Sequence, residues 1–135
     1  MIVIDANILV PLLIPGPGTG DSETLLKKDP DWAAPLLLRS EFRNVLAVQL
    51  KRKTLSLGEA FSAMAEAEKI LNGNEFEVNS EIVLELCVQS HCTAYDCEYI
   101  ALAQSLRAPL ITRDNALLAA FPDTAILPGG FLTKK

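Results

Sequence analysis

The sequence predicts an α/β fold, and three observations carry that prediction. Two short runs at 1–4 and 109–112 are almost wholly apolar, as strands buried on both faces are. Three long stretches between and beside them, at 36–53, 56–71 and 95–106, repeat their apolar residues with helical spacing. Strands alternating with helices in this way build a mainly parallel sheet covered by helices. The chain has 135 residues, of which half are hydrophobic and 21% charged, which suits one domain over 1–135 with a core of its own.

The elements follow in order. Residues 1–4 form the first strand, and Asp5 and Asn7 follow it at once. Residues 8–14 are a short apolar piece, irregular or helical, broken by Pro11. Pro15, Gly16, Pro17, Gly18 and Gly20 make 15–20 a loop. It has no Lys-Ser/Thr ending, so it is not a phosphate-cradling loop of the Walker type. Residues 21–28 read as a helix capped by Asp21 or Ser22, with Lys27 and Lys28 at its C-terminal end. A brief strand at 31–34 precedes Pro35, which suits the first turn of the 36–53 helix. Ser56 and Glu59 have the capping-box spacing that opens the 56–71 helix. Residues 75–78 alternate polar and apolar, as a half-exposed strand does. Ser80 caps a helix to Ser90, and Thr93 caps the next at 95–106. After the 109–112 strand come a turn at 113–115, a short helix to Ala120 and a last strand at 124–127. Pro128, Gly129 and Gly130 end that strand, and Lys134 and Lys135 are a loose tail.

Composition narrows the functional classes. A net charge of −5 argues against nucleic-acid binding through a broad basic surface, though not through metal ions. No apolar run approaches the roughly 18 residues of a membrane span, and no basic leader precedes the first strand, so a cytoplasmic protein is expected. Cys87, Cys92 and Cys97 form no Cys-x-x-Cys pair and read as small buried side chains.

Four acids stand where acids are expensive. Asp5 and Asp114 each lie just beyond a buried strand, at the edge where ligands bind in open α/β sheets. Turning about 100° per residue, Glu41 falls within the apolar sector set by Leu38, Phe42, Val45 and Leu46. Asp96 falls on the face set by Tyr99, Ile100, Leu102, Ala103 and Leu106, whereas Glu98 points toward solvent. A carboxylate on a core-facing stripe is costly unless paired or metal-bound. Each acid has a plainer reading: an Asx turn for Asp5, a snorkelling flank residue for Glu41, a capping-box acid for Asp96, a helix cap for Asp114. Together they converge if both strands are parallel, with no basic partner in sight. Arg39, Arg43, Arg107 and Arg113 read first as surface charges, and His91 as a surface residue. All-oxygen ligands of this kind favour Mg²⁺ or Mn²⁺.

The order of these residues resembles the PIN domain family: a hydrophobic strand with Asp5 and Asn7, Glu41 in the first long helix, the stretch Tyr95–Ala103, then Leu110, Ile111, Thr112, Arg113, Asp114. Within it the chain is similar to the VapC-type toxins of toxin–antitoxin pairs, from Met1 to about Leu127. The resemblance implies a three-layer α/β/α fold and a Mg²⁺- or Mn²⁺-dependent endoribonuclease. It also implies catalytic acids at Asp5, Glu41, Asp96 and Asp114, with Asp5, Asp96 and Asp114 holding metal and Asn7 and Thr112 supporting them. RNA is the implied substrate and an antitoxin the implied partner, with a homodimer contact also expected. The apolar groups at 9–14 and on the 56–71 helix are candidates for those contacts, against a reading as ordinary core. Two other classes compete. One is a PIN-fold binding or RNA-processing module without a toxin role. The other is a phosphoaspartyl protein, which wants an aspartate where Asn7 stands, or an acidic pair before Asp5 and a late lysine that are absent.

Overall fold

The computed structural model of the chain describes residues 1–134. Its centre is a five-stranded sheet of β1 (Ile2–Ile4), β2 (Trp32–Pro35), β3 (Glu75–Phe76), β4 (Leu110–Ile111) and β5 (Ala125–Ile126). The order is β3-β2-β1-β4-β5, and every pairing is parallel. The chain builds outward from β1 on one side and then starts again at β4 on the other. The reversal therefore falls between β1 and β4, where an open α/β sheet leaves a crevice beyond its strand ends. Ile2, Val3 and Ile4 are all buried, as are Leu110 and Ile111, which is why neither run alternates in sequence.

Eight helices surround the sheet among the described residues: α1 (Ala6–Leu13), α2 (Thr19–Lys28), α3 (Leu37–Lys51), α4 (Leu57–Ile70), α5 (Ser80–Val88), α6 (Ala94–Leu106), α7 (Asn115–Ala120) and α8 (Pro128–Leu132). α6 packs on β1, β2 and β4 and is buried from Tyr99 to Ala103. α3 packs on β2 and buries Leu38, Phe42 and Leu46 of the expected stripe, with Val45 half-buried. The Ser56–Glu59 capping box forms, and Thr93 and Asp114 cap α6 and α7 as anticipated. Cys92 and Cys97 are buried and Cys87 half-buried, all three as free thiols. None of the described helices is long and apolar enough to cross a membrane.

Several local expectations are made definite or corrected. The apolar piece at 8–14, expected as irregular or helical, is helical to Leu13, in a helix that starts at Ala6 and tolerates Pro11. The capping that starts it comes from Asp5, and Ile8, Leu9 and Pro11 are core, so much of this piece is not free for docking. α2 begins at Thr19, after Gly18 at φ 93°, and is capped by neither Asp21 nor Ser22. Ser22 is buried and donates to the Ile8 carbonyl at 2.8 Å, tying α2 to α1, while Asp21 pairs with Arg113. Pro35 ends β2 instead of opening α3, because the next N–H, that of Leu36, still bonds across the sheet to Phe76 O. Asn79, not Ser80, caps α5, its side chain accepting from Ile82 N–H. Pro128 opens α8 where the chain was expected only to end a strand, as its fixed φ suits a first helical turn. Lys28 Nζ donates to the carbonyls of Phe131, Leu132 and Lys134, so Lys134 is tied down instead of trailing. The rest of the expected tail, Lys135, lies outside the described residues.

Candidate active site

Asp5 is the pivot of the site because the sheet leaves it no alternative position. Its N–H bonds to Ile111 O at 3.1 Å, which ties the end of β1 to the end of β4. Its side chain is then committed twice. Oδ1 accepts from Ala6 N–H at 2.7 Å and starts α1; Oδ2 accepts from the Thr112 hydroxyl at 2.7 Å and from Asn7 Nδ2 at 3.3 Å. Thr112 is fully buried, and its Oγ1 also accepts from Asp114 N–H at 3.0 Å. Asn7 Oδ1 accepts from Arg113 N–H at 3.1 Å. The turn after β4 is thus laced to the turn after β1, and Asp5 and Asp114 share the Thr112 hydroxyl between them. The plainer capping role holds for both acids: Asp5 starts α1, and Asp114 Oδ1 accepts from Leu117 N–H at 3.1 Å as the cap of α7.

The two helical acids arrive from opposite neighbours. Glu41 is half-buried on α3, and its Oε1 accepts a short hydrogen bond from the Tyr99 hydroxyl of α6. Asp96 sits in the first turn of α6, its N–H held at 3.1 Å by the Thr93 hydroxyl.

The electrostatics link the four. Burial pushes the Asp5 carboxyl up to about 6; hydrogen bonds from Thr112 and Ala6 oppose this, and the charges of Glu41 and Asp96 add to it. Glu41 is likewise raised by burial, opposed by the Tyr99 hydroxyl, with Asp96 and Glu98 adding. Asp96 is raised by burial and then by Asp114, which hydrogen bonding to Thr93 only partly offsets. Asp5 therefore feels Glu41 and Asp96, Glu41 feels Asp96, and Asp96 feels Asp114. Among the described residues no ion pair reaches any of the four. Arg39 is held by Glu75 at 2.6 and 2.9 Å, and the Arg113 guanidinium turns away from Asp114 to Asp21 at 3.2 Å.

Convergence stops short of a closed cage. Among the described residues no three His, Cys, Asp or Glu side chains stand close enough to hold an ion unaided. The reason is visible in the hydrogen bonds: Asp5 is drawn to Thr112 and Ala6, Glu41 to Tyr99, and Asp114 to its own helix. The donor set itself, carboxylate oxygens with hydroxyl and amide support and no cationic side chain, is chemically that of a hard divalent cation.

Two residues were misread in the sequence. Tyr99 appeared only as part of an apolar face, yet its hydroxyl orients Glu41. Glu98 was assigned to solvent, but it is half-buried, its carboxyl group is raised by burial, and its charge acts on Glu41. The available signal was α6 itself. Cys97 and Ala101 extend its apolar face almost all round, so little of the helix was left for solvent.

Several known proteins are similar to this chain in sequence or fold. Ribonuclease VapC3 of Pyrobaculum aerophilum is 24% identical over 124 residues, covering 90% of this chain and 95% of that protein. A toxin–antitoxin complex from Klebsiella pneumoniae aligns with a TM-score of 0.69 at 20% identity, over 95% of this chain and 98% of the other. FitAcB from Neisseria gonorrhoeae aligns with a TM-score of 0.72 at 19% identity, over 96% of this chain and 99% of the other. At these identities the structural matches establish the fold. The model of the PIN domain matches residues 2–123, a span that runs from β1 past α7 and contains all four acids, and the chain belongs to the PIN domain family.

Proposed function

We propose that this protein is a divalent-metal-dependent endoribonuclease and the toxin of a VapBC-type toxin–antitoxin pair. The observation that carries the nuclease reading is a buried Asp5 whose neighbouring charges, Glu41 and Asp96, are both negative. Such a group of acids repels itself when ionised, and a cation among them relieves that repulsion. A relative named as a ribonuclease and a fold shared with a toxin–antitoxin complex support the substrate and the partner class.

Asp5, Asp96 and Asp114 would hold Mg²⁺ or Mn²⁺, with Asp114 binding directly or through water. When bound, the ion supplies an acidified water and charge stabilisation at the phosphoryl oxygens. Thr112 and Asn7 fix Asp5, so the carboxylate oxygen that faces the crevice is set by a buried hydroxyl and not by solvent. Glu41 would orient or deprotonate the attacking water, with Tyr99 holding its carboxylate. A cation in the site also reconciles a chain of net charge −5 with a phosphate backbone.

Leu57 and Phe61 on α4 are exposed and fit a role in antitoxin or homodimer contact. A toxin of this kind would act in the cytoplasm. The test is cleavage of RNA with Mg²⁺ or Mn²⁺, in excess EDTA, and by a folded Asp5→Asn variant. Full activity in EDTA or in the variant would sink the reading. Growth arrest on expression, relieved by the variant, separates a toxin from a PIN nuclease that only processes RNA.

A further inference from the structure

The strand ends beyond the four acids form a second feature. Because every pairing is parallel, β2 and β3 finish on the same edge of the sheet as β1 and β4. There, at the β3 side, an open cleft of about 500 Å³ is lined by Leu36, Phe76, Glu77, Ser80, Leu84 and Glu98. Phe76 O accepts from Leu36 N–H at 3.0 Å, so the end of β3 and the entry to α3 form one wall. Leu36 and Leu84 are exposed apolar side chains, and Phe76 is half-buried between solvent and core. Glu98 joins the cleft to the acidic site, since it lines the cleft from α6, two residues after Asp96 on the same helix.

An aromatic ring, aliphatic walls and two carboxylates, the exposed Glu77 and the half-buried Glu98, are complementary to a flat heterocycle with donors on its edge. An ionised carboxylate only accepts. It therefore selects an edge with two adjacent N–H donors, and among the four RNA bases guanine alone presents these, at N1 and N2. Single-stranded RNA offers such edges, because its unstacked bases lie on aromatic side chains and are read by hydrogen bonds.

We infer that this cleft is a base-recognition subsite that takes a guanine flanking the scissile phosphate, stacked on Phe76 and bonded at its Watson–Crick edge by Glu98. The inference rests on the nuclease reading. An arginine-bearing peptide offers a similar pair of donors, but continuity with the four acids favours the base, since the nucleotide beside the cut must lie along this edge.

Two measurements test it. In the first, GMP and AMP are titrated into the metal-free full chain and followed by backbone amide shifts. GMP should move Leu36, Phe76, Ser80 and Glu98 and bind about tenfold more tightly than AMP. In the second, an oligoribonucleotide library with randomised bases on either side of the cut is cleaved. The wild type should prefer guanine at one flanking position. Glu98→Gln, which presents one acceptor and one donor, should move that preference toward adenine while the fold is kept. Phe76→Ala should weaken substrate binding about ten- to a hundredfold for every base. GMP binding that depends on Glu98, without any RNA cleavage, would keep the subsite and overturn the nuclease reading. Cleavage with no flanking preference, or with a preference that Glu98→Gln leaves unchanged, would overturn the subsite and keep the nuclease. Shifts produced by an arginine peptide and not by GMP would overturn it in favour of a protein ligand.

Discussion

Asp5→Asn should stabilise the metal-free protein at neutral pH. The carboxyl group is only 8% exposed and its pKa is raised from 3.8 to about 6, chiefly by burial. A rise of about 2 units corresponds to about 3 kcal/mol between the two protonation states. The sign follows from the order of the two pKa values. Below about 4 the carboxyl is protonated in both states and contributes nothing. As pH rises, the unfolded chain ionises first and the folded chain keeps its proton, so stability falls. The loss is complete just above pH 6, where both are ionised and the folded state carries the full penalty. Asn removes the penalty at every pH. It also gives up acceptor capacity toward Thr112 and Asn7, worth about 1 kcal/mol. The variant should therefore be level with or slightly below wild type near pH 4, and about 2 kcal/mol above it at pH 8.

Urea unfolding in EDTA, at several pH values, reads this difference directly and cancels the pH dependence of other groups. Adding a divalent cation at about a hundred times its dissociation constant should then stabilise wild type by about 2.7 kcal/mol and the variant by much less. The order of stability should invert on adding metal. A variant-minus-wild-type difference that does not change between pH 4 and pH 8 would refute the burial argument. Equal stabilisation of both proteins by the cation would remove Asp5 from the ion's site.

The other predictions concern the groups around Asp5. Thr112→Val leaves Asp114 N–H without its partner and Asp5 Oδ2 with only the Asn7 amide, so the unfolding free energy should drop by about 2 kcal/mol. Calorimetry should also show metal affinity lower by about ten- to a hundredfold. Tyr99→Phe removes the hydroxyl that favours the Glu41 carboxylate, so Glu41 should protonate more readily. The acidic limb of the pH–rate profile should move to higher pH, with kcat recovering most at pH 8 or above. Gly18→Ala should cost about 1–2 kcal/mol in urea unfolding, since residue 18 has φ 93° and a Cβ there would stand 3.3 Å from Arg113 Nη2. Gly20→Ala, in the exposed part of α2 with open space around it, should instead gain about 0.5–1 kcal/mol.

What the sequence revealed of this molecule, and what it hid, divides along a physical line. The four acids were legible because a carboxylate breaks an apolar pattern wherever it falls, and Glu41 and Asp96 break two of them. The strands β1 and β4 were legible because burial on both faces leaves no polar residue in them. Helix starts were legible where a side chain caps locally, as Ser56, Thr93 and Asp114 do. They were misplaced where distant partners had claimed the capping candidate. Ser22 belongs to the Ile8 carbonyl and Asp21 to Arg113, and neither relation has a local signature. Tyr99 and Glu98 were hidden for the same reason, since their roles are defined by a charge on α3 and not by their own helix.

The site thus has two grades of information. Which residues bear charge is written in the pattern of one element at a time, and it survives reading without a structure. How those charges are oriented depends on contacts such as Thr112 to Asp5, across 107 positions of chain, and Tyr99 to Glu41, across 58. The orienting contacts also explain why the acids stop short of a closed cage. Each carboxylate is stabilised separately by a neutral hydroxyl or a backbone N–H, which lets a fold with four adjacent acids exist before any cation arrives. Thr112 keeps Asp5 aimed while leaving lone pairs of its carboxylate for an ion, so the affinity for a cation should fall when Thr112 is replaced.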